Sequence, residues 1–452
     1  MWSVDPAWAW SPFEASSQRP WDRRAASHLL RRSGFGMSLA GIDGAVAMQP
    51  ADVVRKIVAA NREPDPFRAT ADALAEATLA SGDASQLSAA WVYRLLYTPN
   101  QLLEKATLLW HGHFATGAEK VQNADMMWRQ NQLLRDHALG EFGELVHQIS
   151  RDPAMLIYLD SAVNRKAHPN ENFARELMEL FCLGEGEYSE QDVLELARCF
   201  TGWEIKNKRF RKNRYQHDSG EKQILGQTGR YDGDDGVRIV IEHPATPLFV
   251  ARKLYRFFVS DEPKPRDALL QPLADLFRKS NLQIAPVIER ILCSNLFFSD
   301  HAYARKIKSP VELVMGMLRS LDATTNTQLV AGGLRTIGQG LFFPPNVKGW
   351  DGGRAWINSS TLLGRSNLIA DILRNNVTRF DGKTLAEYLR TRDVRTTDNA
   401  IEYFSHCLFA ISPDDATRDR LRQAADSDSS DDDRRMRSLL HAMMTLPLCQ
   451  IG

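Results

Sequence analysis

Glu171, Arg175 and Glu179 recur at four-residue intervals in His168-Pro169-Asn170-Glu171-Asn172-Phe173-Ala174-Arg175-Glu176-Leu177-Met178-Glu179-Leu180-Phe181. On a helix this spacing stacks the three on one side, flanked by Asn172 and Glu176. Phe173, Leu177, Leu180 and Phe181 then share an apolar face. Pro169 suits a first helical turn and Gly184 a C-terminal stop, so the pattern predicts a helix over 168–184. Two readings are open. One is a solvent-facing salt-bridge ladder, worth a few tenths of a kcal/mol per pair. The other is a carboxylate set held by Arg175, suited to metal binding or acid–base chemistry.

Two histidine motifs carry further chemistry. In Trp110-His111-Gly112-His113-Phe114 the i, i+2 spacing fits metal ligation only if the helix gives way to extended chain at Gly112. On a continuing helix the two rings would point about 200° apart. His217-Asp218-Ser219-Gly220-Glu221-Lys222 pairs a ligand or base with a neighbour that orients it, or is simply a polar loop. The basic run Lys206, Lys208, Arg209, Arg211, Lys212 and Arg214 suits a polyanion, but Asp232, Asp234 and Asp235 follow closely and partly neutralise it. Phe342-Phe343-Pro344-Pro345-Asn346-Val347-Lys348-Gly349-Trp350-Asp351-Gly352-Gly353 has the aromatics and glycines of a carbohydrate or peptide cleft, or of a packed loop. No phosphate loop, dinucleotide fingerprint, HExxH or GxSxG is present.

The elements that must position these groups are helices. Apolar residues recur at helical spacing over 51–60, 68–80, 86–97, 100–111, 123–137, 141–150 and 189–202. The pattern resumes over 245–259, 266–279, 284–294, 309–321 and 327–341, and again in the last 90 or so residues. The stretch 204–240 is weakly helical and reads as a long loop with room for one β-hairpin. The expected fold is mainly α, a large multi-helix domain over 25–452 with this irregular insertion as the place where lobes would divide. Residues 1–24 read as an arm whose Trp2, Trp8, Trp10 and Trp21 dock on the body. Asp426–Asp433 reads as a solvated linker.

Composition bounds the partners. The 452 residues are 43% hydrophobic and 25% charged, an ordinary globular balance. Lys+Arg and Asp+Glu are 56 each, so no whole-protein field attracts nucleic acid. The five cysteines, Cys182, Cys199, Cys293, Cys407 and Cys449, are scattered and form no CxxC pair. No window reaches the roughly 18 apolar residues of a membrane span. The first 25 residues lack an apolar signal stretch, so a cytoplasmic location is expected.

Together these segments carry a resemblance. HLLRRSGFG (28–36), WHGHF (110–114), DPAMLIYLD (152–160), PNENFARELMELFCLGEGEYSEQDVLELARCFTGW (169–203), HDSGEK (217–222) and PPNVKGW (344–350) resemble the bacterial family catalogued as domain of unknown function 1800. The family has no settled activity. The resemblance implies that its polar elements matter here: His111 and His113; Asn170, Glu171, Asn172, Arg175, Glu176 and Glu179; His217, Asp218 and Lys222; and Pro344, Pro345, Gly349 and Trp350. It also implies that export is common and that a companion resembling sulfatases and alkaline phosphatases is often encoded alongside. The lack of a visible leader departs from the exported members.

Two functions are therefore expected. In the first, an enzyme, the polar helix, the histidine pair and the 217–222 loop converge on one pocket. Glu171 is a general base or metal ligand, Glu179 a second carboxylate, and Arg175 an orienter or anion clamp. Asn170, Glu176 and Lys222 complete the catalytic set, and His111, His113, His217 and Asp218 would hold one divalent metal ion. The reaction class is hydrolysis of a small molecule or glycan, by metal or by two carboxylates alone. In the second, a helical scaffold positions a companion sulfatase-like enzyme.

Overall fold

The computed structural model describes residues 4–426 and 431–452. Trp2 and residues 427–430 of the acidic run fall outside them. The chain is predominantly helical, with twenty-four α-helices among the described residues and three two-stranded sheets. No helix among them is long and apolar enough to cross a membrane.

Local chemistry accounts for many of the helix starts. The Asp22 carboxylate accepts from the Ala25 N–H at the head of Arg23–Ser33. Ser189 with Asp192, and Ser309 with Glu312, form reciprocal capping boxes ahead of Glu190–Cys199 and Pro310–Ser320. Asp431 caps Asp432–Thr445, so the end of the acidic run opens a helix. The arm has structure of its own: Pro6–Trp10 is a short helix capped by Asp5. It docks through buried Trp10, whose Nε1 donates to the Leu269 carbonyl at 2.6 Å.

The insertion is more ordered than its composition suggests. It contains two antiparallel hairpins, Trp203–Lys206 with Arg209–Lys212 and Lys222–Ile224 with Gln227–Gly229. A helix, Gly233–Ile241, follows where loop was expected, started by an Asp232/Asp235 capping box. The basic run lies on the first hairpin, where Arg211 pairs with Glu204 and Lys212 with Asp232 and Asp234.

The expected 168–184 helix begins late. Asn170 donates its N–H to Asn164 Oδ1, and its own Oδ1 accepts from the Asn172 N–H, each at 3.0 Å. These bonds hold 168–171 out of the helix, which runs Asn172–Glu176 and then widens into a π-helix over Leu177–Cys182. Such widening recurs at functional sites.

The apolar interior forms two clusters. One gathers the arm, Phe142, Phe173, Phe181 and the helices between Gly233 and Phe298; the other gathers Trp91, Met127, Leu318, Phe404 and Leu440. Gln101–His113 contributes to both, with Leu102, Leu109 and Trp110 in the first and Leu108 in the second. It is therefore buried on nearly every side, although it carries Glu104, Lys105, His111 and His113. Its charges are paired, as burial requires. Arg135 donates to Glu104 at 2.5 and 3.2 Å, Trp91 Nε1 donates to Glu104 at 2.7 Å, and Lys105 donates to Glu312 at 2.6 Å.

Candidate functional site

The end of this central helix is covered by the Gly/Pro/Trp loop, and glycine makes the fit possible. Gly349 has φ +74°, and a Cβ on it would fall 2.1 Å from the Gly112 carbonyl oxygen. A Cβ on Gly353, at φ +54°, would press on the Asp261 Cβ at 3.2 Å. Between these two contacts the loop presents Trp350, whose Nε1 donates to the Gly338 carbonyl at 2.8 Å. Beneath it lies a cavity of about 150 Å³, bounded by His113, Lys253, Asp261, Lys306, Trp350 and Trp356 among others.

The groups around this cavity are incompletely satisfied. His113 Nε2 donates to the Phe181 carbonyl at 3.0 Å, a bond that puts the proton on Nε2. Nδ1 is then an acceptor, and it is buried without a partner. Burial and the nearby Lys253 hold this histidine well below its ordinary pKa, so it stays neutral. Burial and Arg256 push Lys253 down to about 8. Its ammonium lies 5.1 Å from the Phe249 ring centre, and among the described residues no carboxylate pairs with it. Asp261 Oδ1 lies 3.7 Å from Lys306 Nζ, while Oδ2 is buried and unpartnered. Two buried acceptors without a protein partner and an ammonium without a carboxylate partner therefore surround one cavity.

The residues singled out in the sequence divide between this cavity and the scaffold. His111 and His113 stay on the helix and point apart. Nε2 of His111 accepts from the Phe342 N–H at 3.1 Å, its ring packs edge-on against Trp91, and burial lowers its pKa to about 3. Only His113 lines the cavity. Glu176 does not line it: burial, then neighbouring Glu179, raise its pKa, and Lys348 of the covering loop opposes them. Glu179 accepts from the Tyr188 hydroxyl at 2.9 Å. Arg175 turns to Glu190, donating twice at 2.7 Å on the surface. The Glu171 carbonyl accepts the Arg175 N–H, and Asn170 serves the turn described above.

The 217–222 segment locks the second hairpin in place. His217 Nδ1 donates to the Thr201 carbonyl at 3.0 Å. Arg198 holds Asp218 below its ordinary pKa through a 2.8 Å bond. Buried Lys222 donates to the carbonyls of Asp218, Gly220 and Tyr231 at 2.6, 3.1 and 2.9 Å. Neither this segment nor Glu171 lines the cavity. His111, His113, His217 and Asp218 each bond a different protein partner and do not assemble as one ligand set. Among the described residues no group of three or more His, Cys, Asp or Glu is placed to hold a metal ion.

Lys253, Asp261 and Lys306 were not singled out in the sequence. Lys253 follows Arg252, Asp261 lies between Ser260 and Glu262, and Lys306 follows Arg305, so no spacing sets them apart, and only packing against the central helix brings them together.

Fold and cavity define a large, mainly helical protein with a polar pocket roofed by a glycine–tryptophan loop. The chain belongs to the family described as protein of unknown function (DUF1800), whose pattern matches residues 28–451. No curated protein and no solved structure matches the chain.

Proposed function

We propose that the protein is a hydrolase for a small hydroxyl-bearing substrate or glycan, with the cavity under Trp350 as its reaction pocket. The observation that carries this reading is the set of unsatisfied groups there: an acceptor on His113, an acceptor on Asp261 and an ammonium on Lys253 with a lowered pKa. Asp261 Oδ2 takes a proton from water, and the water oxygen attacks the ester or glycosidic carbon. The bond to the leaving oxygen breaks, and Lys253 gives that oxygen its proton. A lysine pushed down to about 8 is matched to proton donation near neutral pH. Neutral His113 accepts from a substrate hydroxyl, and Trp350 offers a flat apolar face. Turnover of chromogenic esters and glycosides tests the reading. Asp261→Asn should lower kcat by about 10²–10⁴-fold, as loss of a general base does. Turnover unchanged in Asp261→Asn would overturn the assignment.

A second reading, a scaffold for a companion sulfatase-like enzyme, draws on Leu362 and Leu363, which are 42% and 63% exposed on Ser359–Arg374. Loss of companion binding in Leu363→Asp, with hydrolysis intact, would favour it.

A further inference from the structure

A cavity of about 500 Å³ lies outside the reaction pocket and shares no wall residue with it. Two helices each turn one face toward it. Leu39–Val46 presents Gly41, Gly44 and Ala45, and Pro50–Ala59 presents Val53, Lys56 and Ile57. Both sets have the i, i+3, i+4 spacing of a single helical face. Arg23–Ser33 and the start of Gln101–His113 complete the wall with Leu30 and Leu102. The volume falls within the roughly 300–1,000 Å³ of small-molecule pockets.

The wall offers a ligand apolar surface and little else, because its polar side chains are turned to the protein. Ser33 Oγ donates to the Leu29 carbonyl at 2.7 Å. Gln101 accepts from the Phe35 N–H at 2.9 Å and donates to the Gly36 carbonyl at 3.0 Å. Asn100 donates to the Arg62 carbonyl. An ordered water needs roughly two to four polar partners, which this wall does not offer. Met37 and Met48 add two flexible thioether chains that adapt to an apolar guest.

Two residues set this wall apart from an ordinary core. Gly44 sits inside a helix, which glycine weakens, yet a Cβ on it would meet nothing within 4 Å. No neighbour requires glycine there, so the missing side chain serves the open space. Lys56 is the one charged group of the wall, and it is exposed at the mouth. The acids of the two helices are engaged elsewhere, Asp43 with Arg23 at 2.5 Å and Asp52 with Arg55. Among the described residues no carboxylate pairs with Lys56.

We propose that this cavity binds the hydrocarbon chain of a fatty acid, with the carboxylate of the ligand at Lys56. The chain lies along Val53, Ile57 and the two methionines, and the single cation of the wall meets the single charge of the ligand. The site goes beyond the hydrolase reading and does not depend on it.

Isothermal titration calorimetry of the full chain with hexanoate, octanoate and decanoate, each below its micelle concentration, tests this. One decanoate should bind per chain, and affinity should rise about fourfold for each added methylene, the factor expected of burying it. Gly44→Phe, which puts a ring where a Cβ has no neighbour, should weaken decanoate about tenfold or more. Should that variant fail to fold, Met48→Glu at a half-buried position sets a like charge in the wall and should do the same. Lys56→Glu should weaken decanoate about tenfold and leave decanol unchanged. Affinity that does not rise with chain length, many decanoates per chain, or undiminished binding in Gly44→Phe or Met48→Glu would overturn the site. Decanol bound as tightly as decanoate, or decanoate bound equally by Lys56→Glu, would overturn the assignment of the carboxylate and with it the fatty acid.

Discussion

Gly349 and the Gly112 carbonyl oxygen are so close that a Cβ on residue 349 would stand 2.1 Å from that oxygen. With φ at +74°, position 349 excludes side chains twice, by backbone conformation and by space. Gly338 separates the two effects: its φ is +93°, but nothing lies within 4 Å of a Cβ there. Gly338→Ala should therefore cost about 1–2 kcal/mol, the penalty of the left-handed conformation. Gly349→Ala should cost more than this and displace Trp350 from the cavity. Urea unfolding of both variants, with tryptophan fluorescence, reads the difference. Equal destabilisation by the two would mean that the loop does not depend on its seat at Gly112.

The depressed pKa of Lys253 gives the pocket a pH signature. Its folded value of about 8 lies below the roughly 10.4 of a free lysine. If the ammonium is the proton donor, the rate falls as pH rises through about 8. Stability moves the other way. Between about 8 and 10.4 the unfolded chain binds the extra proton, so stability rises with pH across that window. Lys253→Met should abolish the alkaline fall in rate and flatten the rise in stability. A rate profile with its alkaline limb intact in Lys253→Met would remove this residue from the mechanism.

The paired-histidine and His-Asp motifs lead to a different expectation for metal. His111 Nε2 accepts from Phe342, His113 Nε2 donates to Phe181, and Asp218 is held by Arg198. A metal bound through His111 Nε2 or the Asp218 carboxylate would have to displace Phe342 or Arg198, and of the three only His113 offers a free nitrogen, Nδ1. Elemental analysis should therefore find the same metal content in the wild-type protein and in a folded His113→Ala, Glu171→Ala variant. A stoichiometric metal present in the first and lost in the second would show that the side chains rearrange to bind it.

Much of the scaffold was legible because helical periodicity and capping residues are local signals. Ser189 with Asp192 and Ser309 with Glu312 are examples. Gly233–Ile241 was not legible, since Gly-Asp-Asp-Gly reads as a turn until the Asp232 and Asp235 side chains are seen to cap it. Nor was the late start of the polar helix, which depends on Asn164 reaching Asn170 from six residues away. In the site, His113 was legible because its motif is distinctive. Lys253 and Asp261 were not, because chemistry that arises from tertiary packing leaves no spacing in the chain. Lys222 shows the converse: a lysine in a polar motif, bonded to three carbonyls, serves the fold.

Two ion pairs show how burial decides what a carboxylate is worth. Arg175 and Glu190 make two well-formed 2.7 Å bonds, yet their side chains are 35% and 75% exposed. Water and salt screen such a pair, and Arg175→Ala should cost less than about 1 kcal/mol. Glu104 and Arg135 are 0% and 5% exposed. Burial pushes the Glu104 carboxyl up, but the Arg135 guanidinium outweighs it and holds the group below its ordinary value. Removing either partner strands a charge in the interior next to Trp91, which also donates to Glu104. Glu104→Ala or Arg135→Ala should each cost about 3–5 kcal/mol. The double variant should cost far less than the sum, because it leaves no stranded charge. Urea denaturation of the three variants measures this coupling, and strictly additive losses would show that the pair is solvated rather than buried.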